Sequence, residues 1–478
     1  MPNNEREYDV IVIGGGPAGE NAAAYAIAGS DRTAVIVERE LVGGECSYWA
    51  CIPSKALLRP GHVLAGARAM DGITATGLDV EAVLRRRDSF VDNHDDGSQV
   101  KWAADNRIDI VRGTGRLTGE RQVEVDGQVL RARHAVVLAT GTRASIPEVP
   151  GLRAALPWIS RDATNLHEIP RRVVIIGGGV VACEAATWLA TLGAEVSMVV
   201  RGARVLASAE PFASERVVAA LTERGVRVLF GTEPRSVDRP DAKNTGEGRI
   251  HGGPVTVRLH SDQGDTEIEA DEIIVAAGRT PATEGLGLAA VGLPDGYVQV
   301  DDHLTVREVA GEWLYCVGDL NHRAALTHMG KYQARVCGDV IAARAEGKPL
   351  TDARFTASAD HGQVPQVVYT APEVASVGLT EAAARDAGHA VETAELDIAV
   401  AGSALARNDF AGHAKLVIDT ATDTLLGATF VGPEAGEQLH AATIAVVGKV
   451  PLATLWHAVP AFPAVSEFWL RLLETRRA

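Results

Sequence analysis

Residues 10–19, VIVIGGGPAG, decide how the chain is read. Four β-branched residues in a row make a buried strand, and glycines at 14, 16 and 19 turn it directly into an alanine-rich helix opened by Pro17. Such a turn lets backbone amides approach a phosphate held at the positive end of the helix. Residues 34–38, AVIVE, form a second strand ending on Glu38, whose carboxylate can accept both hydroxyls of an adenosine ribose. Gly14, Gly16, Gly19 and Glu38 are therefore candidate dinucleotide-binding residues.

Residues 172–201 repeat the same order of strand, glycine turn, helix and strand. Gly177 and Gly179 stand in the turn, and Ala182 takes the third place, where it still permits close helix packing. One chain thus offers two dinucleotide sites. Arg201 closes the second strand and Arg204 follows it, where an NAD-selective site carries a carboxylate. Two guanidinium groups there favour the 2'-phosphate of NADPH over NADH.

Composition bounds the rest. A chain of 478 residues holds about three domains of ordinary size. A net charge of -16 disfavours nucleic acid and anionic membrane surfaces as partners. Residues 1–8 are polar and the apolar run behind them is too short for a secretory core, so the expected compartment is the cytoplasm. The long apolar region 173–200 is broken by glycines and by Glu184 and Glu195, and is no membrane span. Residues 61–106 read as helical, while 108–138 and 255–277 read as short strands that give each dinucleotide unit its own small sheet. Residues 238–253, rich in Asp, Gly, Asn and Arg, read as an exposed loop. Beyond Pro349, strands at 364–369, 414–419 and 424–431 and helices from 436 onward form a third, α+β domain.

The reactive chemistry lies in residues 43–55, GGECSYWACIPSK. Cys46 and Cys51 stand beside an expected helix start, where a thiolate is stabilised, and their spacing permits an intramolecular disulfide. A zinc site needs further ligands nearby, and no metal is expected. Cys183, Cys316 and Cys337 sit singly in apolar stretches and do not form an extracellular disulfide framework.

This segment resembles the redox motif of class I pyridine nucleotide-disulfide oxidoreductases, the family of lipoamide dehydrogenase, glutathione reductase and mercuric reductase. The resemblance runs the whole chain. Residues 139–141 (ATG), 277–281 (AGRTP), 314–319 (LYCVGD), 369–373 (YTAPE) and 377–381 (VGLTE) are similar to further family motifs in the right order. It implies an α/β fold with two Rossmann-like dinucleotide-binding domains plus a C-terminal α+β dimerisation domain. FAD binding falls to residues 1–150 and 280–355, NAD(P) binding to 151–279, and the homodimer interface to 356–478. It also assigns cofactor contacts to Gly44, Thr140, Gly141, Gly278, Arg279, Gly318 and Asp319. Lys55 is implied beside the flavin, paired with Glu184. Cys51 is implied as the flavin-proximal cysteine and Cys46 as the one that attacks substrate.

The sequence also departs from that pattern. Disulfide-reducing members carry a His-Pro, then Glu four residues after the proline, supplied by the partner subunit; here the run is Phe462, Pro463 and Glu467. A phenyl ring cannot move a proton. His457 reads either as a displaced base or as a helix-end or packing histidine. No cysteine follows Cys337, so the C-terminal metal-delivering pair of mercuric reductases is missing. Tyr48 and Trp49 replace the small, polar middle of the motif and are expected to form a flat aromatic surface suited to a planar acceptor. The leading expectation is an NADPH-dependent FAD reductase acting on a quinone-like or other small electrophilic acceptor, with Cys46 and Cys51 as redox relay or regulator. A low-molecular-weight disulfide reductase or dihydrolipoamide dehydrogenase-like enzyme, and a non-catalytic flavoprotein redox sensor, are the alternatives.

Overall fold

The computed structural model describes residues 5–476, so residues 1–4 of the polar N-terminal segment lie outside the described residues. The chain divides into two compact units. The first comprises Met1–Ile52, Asp88–Arg143 and Arg279–Asp360. The opening strand, Glu5–Ile13, lies between Ala34–Glu38 and Gln128–Leu138, all parallel, and Ile108–Arg112 extends the sheet beyond Ala34–Glu38. Val10, Ile11 and Val12 are fully buried because strands with helices on both faces expose neither side. Helix Pro17–Ile27 packs on helix Thr327–Ala345, which approaches so closely that a Cβ at Gly338 would lie 2.4 Å from Tyr25 Cβ. Strand Leu314–Cys316 pairs with Gln128–Leu138 and delivers the chain to Gly318 and Asp319.

The second unit comprises Pro53–Arg87, Ala144–Gly278 and His361–Ala478. Its parallel sheet runs Arg227–Phe230, Glu195–Val200, Arg172–Ile176, Glu272–Val275. An antiparallel sheet of Thr232–Asp238, Val255–Ser261 and Gly264–Ala270 accompanies it. The C-terminal part is a five-stranded antiparallel sheet ordered Pro365–Val368, Glu373–Gly378, Thr424–Gly432, His413–Asp419, Val391–Asp397. Helix Ala435–Val447 packs against it. The two dinucleotide-type folds and the α+β part expected from sequence are all present.

Two expectations need correction. The small strands of the first unit, Arg116–Gly119 and Gln122–Val125, join the main seven-stranded sheet through Gln128–Leu138 instead of forming a sheet of their own. Residues 238–253 are exposed only in part, since Arg239 and His251 are buried. Glu272 lies fully buried in its strand, and a buried carboxylate requires partners. Arg239 Nη2 donates to Glu272 Oε1 at 2.8 Å, and the His251 amide donates to Oε2 at 3.0 Å. The polar composition of this segment therefore serves an internal charge.

Among the described residues no helix is long and apolar enough to cross a membrane, and no cluster of three His, Cys, Asp or Glu could hold a metal ion.

Candidate active site

The first glycine turn is built for backbone approach. Gly14 has φ +108°, and a Cβ there would fall 2.4 Å from Ala139 O. A Cβ at Gly19 would lie 1.9 Å from Gly14 O, so turn and helix can close only on glycine. Gly16 faces open space and caps helix Pro17–Ile27 with no side-chain bond, which leaves the helix amides available. Glu38 Oε2 accepts from Gly15 N at 2.6 Å and Oε1 from Glu40 N at 2.7 Å, which fixes the carboxylate at the end of its strand. The loop carrying the cysteines is tied to this turn. Gly43 N donates to Gly15 O at 2.7 Å, and a Cβ at Gly44 would lie 2.7 Å from Gly16 Cα.

Around this turn, Thr140 Oγ1 donates to Ala282 O at 2.9 Å and Ala282 N donates to Gly141 O at 3.0 Å. Gly318 N donates to Gln333 Oε1 at 2.8 Å. Asp319 Oδ2 accepts from Thr142 Oγ1 at 2.8 Å. The cradle of open amides at Gly16, with Glu38 and Asp319 fixed in the same unit, fits a dinucleotide: the amides for the pyrophosphate, the carboxylates for sugar hydroxyls.

In the second unit Gly177 and Gly179 repeat the turn, and a Cβ at Gly177 would lie 2.3 Å from Ala276 O. Gly179 again caps its helix, Val180–Thr191, with no side-chain bond. Arg201 and Arg204 are exposed beyond strand Glu195–Val200, with Arg204 Nη2 donating to Ala207 O. Gly278 O accepts from Ser145 N at 3.0 Å.

Cys46 lies within the short helix Gly44–Tyr48, and Cys51 is the first residue of helix Cys51–Arg68. Both are thiols in the structure. The hydrogen bond to Cys51 and then burial push the Cys46 thiol strongly up, against the Thr327 hydroxyl and the Lys331 ammonium. Cys51 Sγ is 3.3 Å from Thr327 Oγ1. The two sulfurs and Thr327 thus form one contiguous group.

The expected aromatic platform is not present beside them. Tyr48 and Trp49 are buried, edge to face at 5.7 Å, in a small core with Val91 and Leu41. Tyr48 Oη donates to Val42 O at 3.1 Å. Rings of this size gain more from burial than from lying on a surface, and they anchor the loop.

The structure brings Lys55 and Glu184 together in the second unit. Lys55 Nζ lies 2.8 Å from Glu184 Oε2 and 3.1 Å from Oε1. Tyr369 N donates to Oε1 at 2.9 Å, and the Lys55 ammonium sits 4.7 Å from the Tyr369 ring centroid. The Lys55 side chain is 34% exposed and that of Glu184 5%.

At the C-terminal end Phe462 is 76% exposed. His457 is exposed just past helix Leu452–Leu455, its amide bonded to Thr454 O, as expected of a helix-end residue. Glu467 pairs with Arg471 at 2.9 Å, and its buried Oε2 has no hydrogen-bond partner among the described residues.

Several residues had no signal strong enough to be found from sequence. Glu45 accepts from Arg279 at 2.5 Å, Thr142 bridges Arg279 to Asp319, and Thr327 meets the redox pair. Glu20, on the buried side of helix Pro17–Ile27, is pushed up to about 7 by burial against the pull of the Lys331 ammonium. A charged residue among alanines was its only sequence mark.

Residues 8–338 match the pyridine nucleotide-disulphide oxidoreductase family, and residues 364–472 match its dimerisation domain. The mercuric reductase of Staphylococcus aureus is 30% identical over 453 residues, covering 93% of this chain and 78% of that one. The dihydrolipoyl dehydrogenase of Chlamydia trachomatis is 32% identical over 475 residues, covering 97% and 95%. The HOCl-induced flavoprotein disulfide reductase RclA from Escherichia coli, solved as its Cu(II) complex, shares the fold with a TM-score of 0.81 at 21% identity, over 98% of this chain and 99% of that one. The family implies FAD and a pyridine nucleotide, which the two glycine turns suit. With matches spanning both its dinucleotide-type folds and its C-terminal part, the chain belongs to the pyridine nucleotide-disulphide oxidoreductase family.

Proposed function

We propose that the chain is an NADPH-dependent reductase that passes electrons through FAD and a Cys46/Cys51 relay to a small acceptor. The observation that carries the proposal is the grouping of the two thiols with Thr327, at the glycine turn that the redox loop touches. FAD, when bound, supplies two-electron transfer between a nicotinamide and the dithiol. Gly14, Gly16, Gly19, Glu38, Gly44, Thr140, Gly141, Gly318 and Asp319 would hold it, with residues 1–150 and 280–355 as its domain. Gly177, Gly179, Gly278, Arg201 and Arg204 would take the nicotinamide cofactor on residues 151–279, and the guanidinium groups favour the phosphorylated form.

The chain's own groups then divide the proton work. With Cys46 as thiol and Cys51 as the proposed thiolate, closing the pair forms one S–S bond and releases two electrons and one proton; reopening it takes them back. The hydrogen bond to Cys51 and then burial hold the Cys46 thiol strongly up, while Cys51 lies beside the Thr327 hydroxyl. Lys55, aimed by its 2.8 Å hydrogen bond to Glu184, would supply positive charge for the reduced flavin.

Phe462 supports an acceptor that needs no thiol-exchange base, because a ring without nitrogen cannot relay a proton. A quinone-like electrophile is such an acceptor. The burial of Tyr48 and Trp49 removes the aromatic platform as a reason for it. The second reading, a low-molecular-weight disulfide reductase, draws on the dihydrolipoyl dehydrogenase relatives, with Glu467 completing a partner's site in a homodimer formed by residues 356–478. The match to the dimerisation domain and the exposed Ile444, Val447, Val459 and Phe462 support that assembly. Steady-state NADPH oxidation against a panel of quinones and small disulfides tests the choice. Turnover with quinones and little with disulfides is expected, and the reverse order overturns the quinone reading.

A further inference from the structure

We infer that Arg279 is a positioning residue that couples the redox loop to the carboxylate of Asp319, through a directed chain of hydrogen bonds within the first unit. This rests on the proposed role of Asp319 as a flavin ligand. Arg279 Nη2 donates to Glu45 Oε2 at 2.5 Å and to Thr142 O at 2.7 Å. Its Nε donates to Thr142 Oγ1 at 2.6 Å. A hydroxyl that accepts from Nε must direct its own hydrogen elsewhere, and the Thr142 hydroxyl donates to Asp319 Oδ2 at 2.8 Å. Oδ1 of Asp319 is then the oxygen offered to a sugar hydroxyl. At the other end, Glu45 immediately precedes Cys46 in helix Gly44–Tyr48, and its carbonyl accepts from Trp49 N at 2.8 Å. Arg279 therefore holds the helix that carries Cys46 and the hydroxyl that orients Asp319 with one planar group.

The fork matters as well as the charge. Three acceptors lie around one guanidinium, and an ammonium on a flexible stem does not reproduce that geometry. Tyr297 Oη donates to Arg279 O at 3.3 Å and adds a backbone tether. Two ends joined this way respond to each other reciprocally: flavin retention depends on loop order, and loop order on flavin.

The test is a double-mutant cycle on FAD dissociation, followed by flavin fluorescence, with Glu45→Ala, Thr142→Val and the pair. Each single variant is expected to weaken retention by about 5- to 150-fold, and the double no further than the worse single. Hydrogen exchange at residues 44–49 gives a readout independent of activity. FAD slows it in the wild type and is expected to leave it unchanged in Arg279→Gln and Arg279→Lys. Multiplicative losses in the cycle, or full rescue by lysine, overturn the coupling. Wild-type FAD retention in Asp319→Ala instead removes the flavin-ligand reading itself, and the coupling with it.

Discussion

Lys55→Met isolates the buried charge that the Lys55–Glu184 pair sustains. Glu184 Oε1 keeps the Tyr369 amide, whereas Oε2 loses the ammonium 2.8 Å away. Breaking a buried ion pair from one side costs about 3–5 kcal/mol. Lys55 is 34% exposed, so water already screens its half of the pair, and about 2 kcal/mol remains after that discount. Glu184→Gln is the asymmetric control. Its amide oxygen keeps the Tyr369 N–H and it leaves Lys55 free to turn toward water, at a cost of under about 1 kcal/mol. Urea unfolding followed by tryptophan fluorescence reads the difference, because Trp158 and Trp188 are buried in the core of the same unit. With a slope of about 2 kcal/mol per M, the midpoint falls by about 1 M in Lys55→Met and by less than half of that in Glu184→Gln. Equal losses, or a larger loss in Glu184→Gln, refute the asymmetry.

Phe462→His supplies a ring nitrogen where the chain has none, and turnover of small disulfides is expected to rise by about 10²- to 10⁴-fold; an unchanged rate contradicts the assignment of that position. Arg201→Glu is expected to shift the ratio of kcat/KM values from NADPH toward NADH, and an unchanged ratio discards Arg201 as the selector. His62, pushed down to about 4 chiefly by burial, then by Arg59 and Arg224, binds its proton more weakly folded than unfolded. Its contribution is intact above about pH 6.5 and is lost as pH falls toward 4, by at most about 3 kcal/mol. Glu373, 3.8 Å away and raised by burial, acts in the opposite sense. His62→Gln is therefore expected to flatten the acid side of the stability profile, and parallel profiles in chemical denaturation contradict this.

What was legible in the sequence is what local chemistry dictates. Residues 10–38 declare a strand, a glycine turn, a helix and a second strand within one short window, and residues 172–201 declare it again. The cysteine segment and the missing histidine at 462 were equally plain, because each is a matter of residue type at a fixed spacing. Long-range contacts were not legible. Arg239 answers a carboxylate 33 residues on, and Arg279 reaches back 234 residues to Glu45. Nothing in either local window announces the partner. The motif position of Tyr48 and Trp49 suggests a surface, yet the nearby Leu41 and Val91, some forty residues on, enclose the rings. Large apolar area settles such a choice in favour of the core.

An anaerobic NADPH titration followed by visible absorbance, in the wild type and in Cys51→Ser, tests the cysteine relay itself. The wild type is expected to take up four electrons, two in the flavin and two in the opened cysteine pair, with a long-wavelength band from the Cys51 thiolate beside the flavin. The variant is expected to take up only two and show no such band. Two-electron uptake with direct bleaching in both proteins would leave Cys46 and Cys51 outside the reaction and overturn the relay.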